Sequence, residues 1–256
     1  MSKLIQLPDS VIQTQRHAEV SDKYVGVNTE AIVTTLEDRG FSVYSAKQSN
    51  VRKEENRGFQ KHMVWMKFDE LETAEGVPSI VIMNSHNRSS SLKLHVGYIR
   101  WACSNQLVGG SNISSISLRH SQNWQDKAEH FLSNYMEEVA KMDRTFSRMR
   151  NQYMSSTMIQ DFSYRAAGLR YNQKLVLDTN ELSLVTRSED IGNNLYVVYN
   201  RIQEALMKGS FKRKVENIDD EGIITHSDWS KAPRITSTDE TMRINRQISE
   251  LAMDYL

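Results

Sequence analysis

The hydrophobic pattern of the chain changes its period once, near residue 121. Before that point, short apolar segments are separated by turn-forming residues and read as strands. After it, from Trp124 to Tyr153, apolar residues recur every three or four positions, which is the spacing of one helical stripe. The first half is therefore predicted to form an antiparallel meander, with strands at 41–46, 59–68, 79–84, 92–102 and 113–118.

This change of period predicts the fold class and the domain organisation. We predict an α+β protein in which a mainly antiparallel sheet, a β-meander, is followed by a long amphipathic helix and a helical C-terminal half. Residues 1–120 form the mainly β portion with one short helix, and residues 121–256 form a helical portion that packs on the sheet in a single compact domain. Four consecutive apolar residues, 80–83, predict that the sheet is covered on both faces.

Capping signals place the shorter elements. Thr29 follows a short strand candidate at 23–29 and is the expected N-cap of a helix that ends near Gly40. The remaining elements are a helix at 159–170, a helix at 189–208 that Gly209 ends, a loop or poorly ordered stretch at 217–233, and a last helix that begins with a capping box of Ser237 and Glu240.

The charge balance excludes binding of a polyanion by the protein as a whole. The 256 residues carry 32 basic and 32 acidic side chains, so any nucleic-acid binding must come from a local patch. The single cysteine, Cys103, is consistent with a reducing cytoplasm. Because no window approaches 18 continuous apolar residues, we expect a cytoplasmic protein without a membrane partner.

The histidines and the cysteine do not form a recognisable metal or nucleophile motif. Zinc sites in sequence show short ligand spacings, and none is present, so no metal ligand and no catalytic residue is predicted. Cys103 is interpreted as a small buried apolar residue, although a nucleophile paired with a distant histidine stays open. Without a phosphate-binding glycine loop, no cofactor is expected either. The residues left open as a site are His62, His86, His95, Cys103 and His120.

Basic residues concentrate in two segments. Residues 141–174 carry seven basic against two acidic side chains, and residues 201–214 carry five against one. The spacing of Lys141, Arg144 and Arg148 puts them on one helical face, where a row of cations can follow a phosphate backbone. An ordinary solvated helix face is the alternative. The predicted phosphate contacts are Lys141, Arg144, Arg148, Arg150, Lys212, Arg213 and Lys214, with Arg100 and Trp101 near the bases.

Several short motifs occur in a shared order: Asn-Ser-His at 84–86, Arg-Trp-Ala-Cys-Ser-Asn at 100–105, Arg119 with His120, and LYVVYNRIQEALMKG at 195–209. On these motifs the chain resembles the phage and plasmid family called domain-of-unknown-function family 932, over roughly residues 58–256. Asn87 and Arg88 stand where many members have Asp-Gly, which weakens the case for an acidic metal ligand there. The resemblance implies action inside a bacterial host.

The outline of strands followed by a long helix is also similar to the β-β-β-α core of phage single-strand annealing proteins. That similarity implies a non-enzymatic DNA recombination protein that binds single-stranded nucleic acid, in the first place DNA, as a homo-oligomer without ATP. Two alternatives stay open. The first is a phage-encoded inhibitor that binds a host protein or defence system, and the second is a Cys/His-dependent hydrolase or metalloprotein.

Overall fold

The fold is described from a computed structural model. It describes residues 5–15, 17, 18, 20, 26–87, 89–102, 106–107, 115–118, 124–171, 175–218 and 220–256. The chain divides into two compact units, residues 1–108 with 112–141 and residues 109–111 with 142–256. Residues 23–25 of the strand candidate at 23–29 lie outside the described part, as do Cys103, Arg119 and His120; residues 26–28 form no strand and Thr29 begins a helix, so no strand forms in the described part of that candidate.

The first unit contains the predicted meander. Its sheet has the order β1-β2-β3-β4, every neighbouring pair is antiparallel, and both β5 and β6 pair with β4. The α+β class is therefore confirmed. The strands are β1 (Phe41–Gln48), β2 (His62–Phe68), β3 (Gly76–Asn84), β4 (Leu92–Arg100), β5 (Gln106–Leu107) and β6 (Ser115–Leu118).

The central strand is buried on both faces, as its sequence predicts. Ile80 and Ile82 join the core cluster that also contains Val64 and Leu94 from the neighbouring strands. Val81 and Met83, which alternate with these two isoleucines along the strand, point to the opposite face and are buried as well. A strand with two buried faces has no polar positions in its middle, which explains why it does not alternate.

The helices of the first unit differ from the prediction in two places. Asn28, not Thr29, caps the second helix, because its Oδ1 accepts the Ala31 N–H at 3.2 Å. The predicted long helix is interrupted at Asn134, whose Nδ2 donates to the His130 carbonyl at 2.8 Å and competes with the helical ladder. The helices are α1 (Asp9–Ile12), α2 (Thr29–Glu37), α3 (Trp124–Ser133) and α4 (Tyr135–Asn151), and the boundary between the units falls within α4.

The second unit combines helices with a small sheet. Helix α7 begins at Leu195 with Asn194 as its cap, later than predicted, because Ser188–Asp190 forms a separate 3-10 turn. Gly209 ends α7 with a φ of 69°, and Ser237 caps the last helix, as predicted. The elements are α5 (Ser156–Arg170), β7 (Leu175–Leu177), α6 (Thr179–Leu182), α7 (Leu195–Lys208), β8 (Lys212–Ile218), β9 (Ile224–His226), β10 (Ser230–Lys231) and α8 (Thr238–Met253).

The prediction of a loop at 217–233 is wrong. Strand β8 extends to Ile218, and β9 and β10 both pair with it antiparallel. Strands β9 and β10 are short and exposed along their whole length, so the stretch shows little of the hydrophobic pattern that marks a half-buried strand. Among the described residues, no helix has the length and apolar character that crossing a bilayer requires.

Candidate nucleic-acid interface

The basic residues of α4 do not form one continuous cationic row. The Nζ atom of Lys141 lies 2.7 Å from Glu138 Oε1 and 3.0 Å from Glu137 Oε1, and these hydrogen bonds raise the pKa of Lys141. The guanidinium of Arg150 lies 4.3 Å from the centre of the Tyr196 ring. Lys141 is thus largely neutralised and Arg150 is held against an aromatic ring.

Two arginines of α4 keep an exposed charge. Arg144 and Arg148 are exposed and lie one helical turn apart, and within the described part of the chain neither forms an ion pair. Two cations on one face of a helix are a short phosphate contact. They are not the longer track that the sequence suggests.

The three basic residues at the start of β8 divide between the two faces of its sheet, because strand side chains alternate. Arg213 lies against the Tyr171 ring, 5.3 Å from its centre, and Arg170 lies 5.0 Å from the same ring. Lys212 and Lys214 point to the other face. The ammonium of Lys214 lies 5.0 Å from the centre of the Trp229 ring on this face.

The face of the sheet to which Lys212 and Lys214 point carries a third lysine. In the ladder between β8 and β10, Lys231 lies directly opposite Lys212, so two like charges are cross-strand neighbours. Glu181 offsets part of this charge, since its Oε1 lies 3.7 Å from the Lys212 ammonium. The Trp229 side chain is 45% exposed. We call Lys212, Lys214, Lys231 and Trp229 the basic face.

The two residues predicted to lie near bases have other contacts. Arg100 is 3% exposed in β4, opposite Gly76. The indole N–H of Trp101 donates to the Thr73 carbonyl at 2.9 Å, and its ring lies 6.0 Å from that of Tyr44. Both residues belong to the first unit, whereas the basic face belongs to the second. As placed here, they stabilise the turn before β3 and the end of β4.

The Asn-Ser-His motif builds a buried hydrogen-bond network in the first unit. Asn84 Nδ2 donates to Thr29 Oγ1 at 3.0 Å, and Thr29 Oγ1 lies 2.8 Å from His62 Nε2. His62 Nδ1 lies 3.1 Å from the Gln60 carbonyl, which can only accept. In the neutral ring Nδ1 therefore carries the proton, and Nε2 accepts from the Thr29 hydroxyl.

The other two residues of the motif, Ser85 and His86, also form hydrogen bonds that stabilise the fold. Ser85 Oγ accepts the Ser90 N–H at 2.7 Å and donates to the Ser90 carbonyl, and the His86 N–H donates to the Phe59 carbonyl at 2.9 Å. The His62 and His86 rings lie 5.3 Å apart, but among the described residues no three metal-ligating side chains come together. Of the other candidates, His95 lies opposite Val81 in the sheet, and Cys103 and His120 are outside the described part.

Replacing Thr29 with valine tests this network. Valine keeps the shape of threonine but removes the hydroxyl, so Asn84 Nδ2 and His62 Nε2 each lose a partner inside the protein. We expect the free energy of unfolding to fall by about 1–3 kcal/mol in urea titrations. Thr29→Ser, which keeps the hydroxyl, is the matched control and should recover most of the loss. Equal stability of Thr29→Val and wild type would show that the network is dispensable.

Sequence reasoning missed Trp229 and Lys231 because it assigned their segment to a loop. A hairpin signal was present: Gly222 follows an acidic run and separates the polar strand β8 from the β-branched residues of β9. Extending the antiparallel pairing from that turn would have brought Ser230 and Lys231 beside the start of β8.

Comparison with known proteins gives the following matches. A family model described as Domain of unknown function (DUF932) matches residues 16–229. The chain is similar to the UPF0380 protein YafZ of Escherichia coli strain K12, with 26% identity over 246 residues that cover 90% of this chain and 89% of YafZ. It is also similar to the UPF0380 protein YfjQ of the same strain, with 27% identity over 212 residues, covering 81% and 76%. No solved structure matches.

Proposed function

The chain belongs to the DUF932 family, and from that premise we propose that it binds single-stranded nucleic acid, in the first place DNA, through the basic face and without ATP. Three lysines supply the phosphate contacts. Trp229 supplies a ring on which an unpaired base stacks. The presence of relatives in Escherichia coli and the single cysteine support a cytoplasmic location in a bacterial cell.

One observation carries the proposal: an exposed tryptophan lies under the ammonium of Lys214, with two more lysines on the same sheet face. Proteins that bind single strands without sequence preference combine a cationic surface with aromatic rings that stack on the bases. Lys212 and Lys214 are two residues apart on one strand, about 7 Å along it, so they form a row beside the ring. A duplex hides its base faces, so the ring favours a single strand.

We propose in addition that the protein anneals complementary strands. The lysines hold the backbone, and Trp229 is the single aromatic side chain of the basic face. Most bases of a bound strand therefore keep their pairing edges exposed to a second strand. Arg144 and Arg148 supply additional phosphate contacts.

Binding of a labelled oligo-dT, followed by fluorescence anisotropy over a range of salt concentrations, tests the proposal. The change is Lys212→Gln with Lys214→Gln and Lys231→Gln. Each phosphate contact to a single strand contributes about −0.7 to the slope of log affinity against log salt, so we expect the slope to flatten by about 2. Trp229→Ala should weaken binding by about 1–3 kcal/mol and leave the slope unchanged.

The matched control removes the same charge elsewhere. Lys53, Lys127 and Arg246 are exposed, and replacing all three with glutamine changes the net charge by the same amount. This variant should bind like wild type. If the control weakens binding as much as the lysine variant, or if the lysine variant binds like wild type, the basic face is not the binding site.

A further inference from the structure

Strand β8 continues past the residues that pair with β7 and β10, and its last three residues form a hairpin with β9. Its first four residues pair with β7 and β10, whereas Glu216, Asn217 and Ile218 pair, within the described part, with β9 alone. Gly222, with a φ of 79°, lies in the turn that joins the two strands, and β9 is exposed along its whole length. We call residues 220–226 the hairpin arm.

The hairpin arm has a chemistry opposite to that of the basic face. It begins with two exposed carboxylates, Asp220 and Glu221, and contains no Lys or Arg. After Gly222, Ile223 is 54% exposed and Ile224 is 55% exposed. A segment with this charge repels phosphate groups, so the hairpin arm does not bind nucleic acid. Adjacent exposed isoleucines beside carboxylates fit a surface that is both cationic and apolar.

The basic face is such a surface, because it carries three lysines on one sheet face, one of them against a tryptophan that is 45% exposed. The arm lies away from the basic face of its own chain while β8 stays extended, because from Lys214 to Ile218 the strand advances by about 13 Å before the turn begins. The complementary face that the arm can reach is that of another molecule.

We propose that the hairpin arm of one copy docks on the basic face of a second copy, and that single-stranded nucleic acid displaces it. The displacement rests on the proposed function, whereas the docking between copies does not. Because the two surfaces differ, the contact is head-to-tail and can repeat, which gives rings or filaments. The carboxylates of the arm then occupy the lysines until a stronger polyanion replaces them.

Charge exchange between the two surfaces tests the docking. The arm variant carries Asp220→Lys and Glu221→Lys, and the face variant carries Lys212→Glu and Lys214→Glu. By sedimentation velocity at low salt, we expect each variant alone to associate at least tenfold more weakly than wild type. Mixed together, the two variants should associate again, because every cationic surface meets an anionic one. Lys53→Glu with Lys127→Glu changes charge at two exposed positions outside both surfaces and should associate like wild type.

A second pair of measurements tests the other parts of the proposal. Ile223→Ser with Ile224→Ser should weaken association without changing its dependence on salt, since the charges remain. Oligo-dT added to wild type should dissociate the assembly as it binds, whereas the same amount of uncharged dextran should not.

The outcomes separate this inference from the proposed function. If wild type is a monomer at low salt, or if the mixed variants fail to associate, the docking is wrong, and the proposed function stands provided that wild type binds oligo-dT. If the charge exchange restores association but oligo-dT neither binds nor dissociates the assembly, the docking stands and the nucleic-acid proposal fails.

Discussion

Replacing Arg187 with methionine is expected to lower the free energy of unfolding by about 3–5 kcal/mol, because it removes the cation that two buried carboxylates share. Arg187 Nε lies 2.8 Å from Asp190 Oδ2, and Arg187 Nη2 forms an ion pair with Glu204. The side chains of Asp190 and Glu204 are 1% and 8% exposed. Lys208 also pairs with Glu204, and Arg201 interacts electrostatically with Asp190, so these two cations compensate part of the loss.

Urea unfolding followed by circular dichroism measures this effect. The control variant combines Arg187→Met with Asp190→Asn and Glu204→Gln, which removes the buried charges together and should recover a large part of the stability. A loss below about 1 kcal/mol for Arg187→Met, the range of a surface ion pair, would contradict the assignment of a buried charge cluster.

The strands and capped helices could be predicted where a local signal decides the structure. The apolar run at 80–83 predicts a strand buried on two faces, and Gly209 and Ser237 mark helix ends through backbone geometry and a side-chain hydrogen bond. The break at Asn134 could not be predicted in this way. It depends on a hydrogen bond to a backbone carbonyl, and asparagine is only weakly unfavourable inside a helix, so the residue type alone does not mark the break.

The candidate site was only partly predictable, because a count of charges does not give their directions. Lys212 and Lys214 reach the basic face, but alternation along β8 turns Arg213 to the opposite face against Tyr171. The helical spacing put Lys141 in the correct row, yet Glu137 and Glu138 lie within one turn of it and pair with it. Sequence patterns identify where cations concentrate, and side-chain pairing decides which of them stay available.

The second large effect is expected from Gly209→Ala. Gly209 has a φ of 69°, which L side chains rarely adopt, and its N–H donates to the Ala205 carbonyl at 2.9 Å to end α7. A Cβ at this position would overlap the Ala232 carbonyl oxygen and lie 2.6 Å from that of Pro233. Backbone strain and overlap each destabilise by about 1–3 kcal/mol, so we expect a total loss of about 3 kcal/mol in urea unfolding.

Gly168→Ala is the matched control, since Gly168 lies inside α5 and a Cβ there meets no atom within 4 Å. It should raise stability by about 0.5–1 kcal/mol, because alanine favours the helix. Gly209→Ala should also weaken oligo-dT binding, since Ala232 N–H donates to the Phe211 carbonyl at 2.9 Å and this bond aligns Lys231 with Lys212. A Gly209→Ala protein as stable as wild type would show that the chain leaves α7 by another path. A destabilised variant with unchanged binding would show that the alignment of Lys231 with Lys212 does not matter for the nucleic acid.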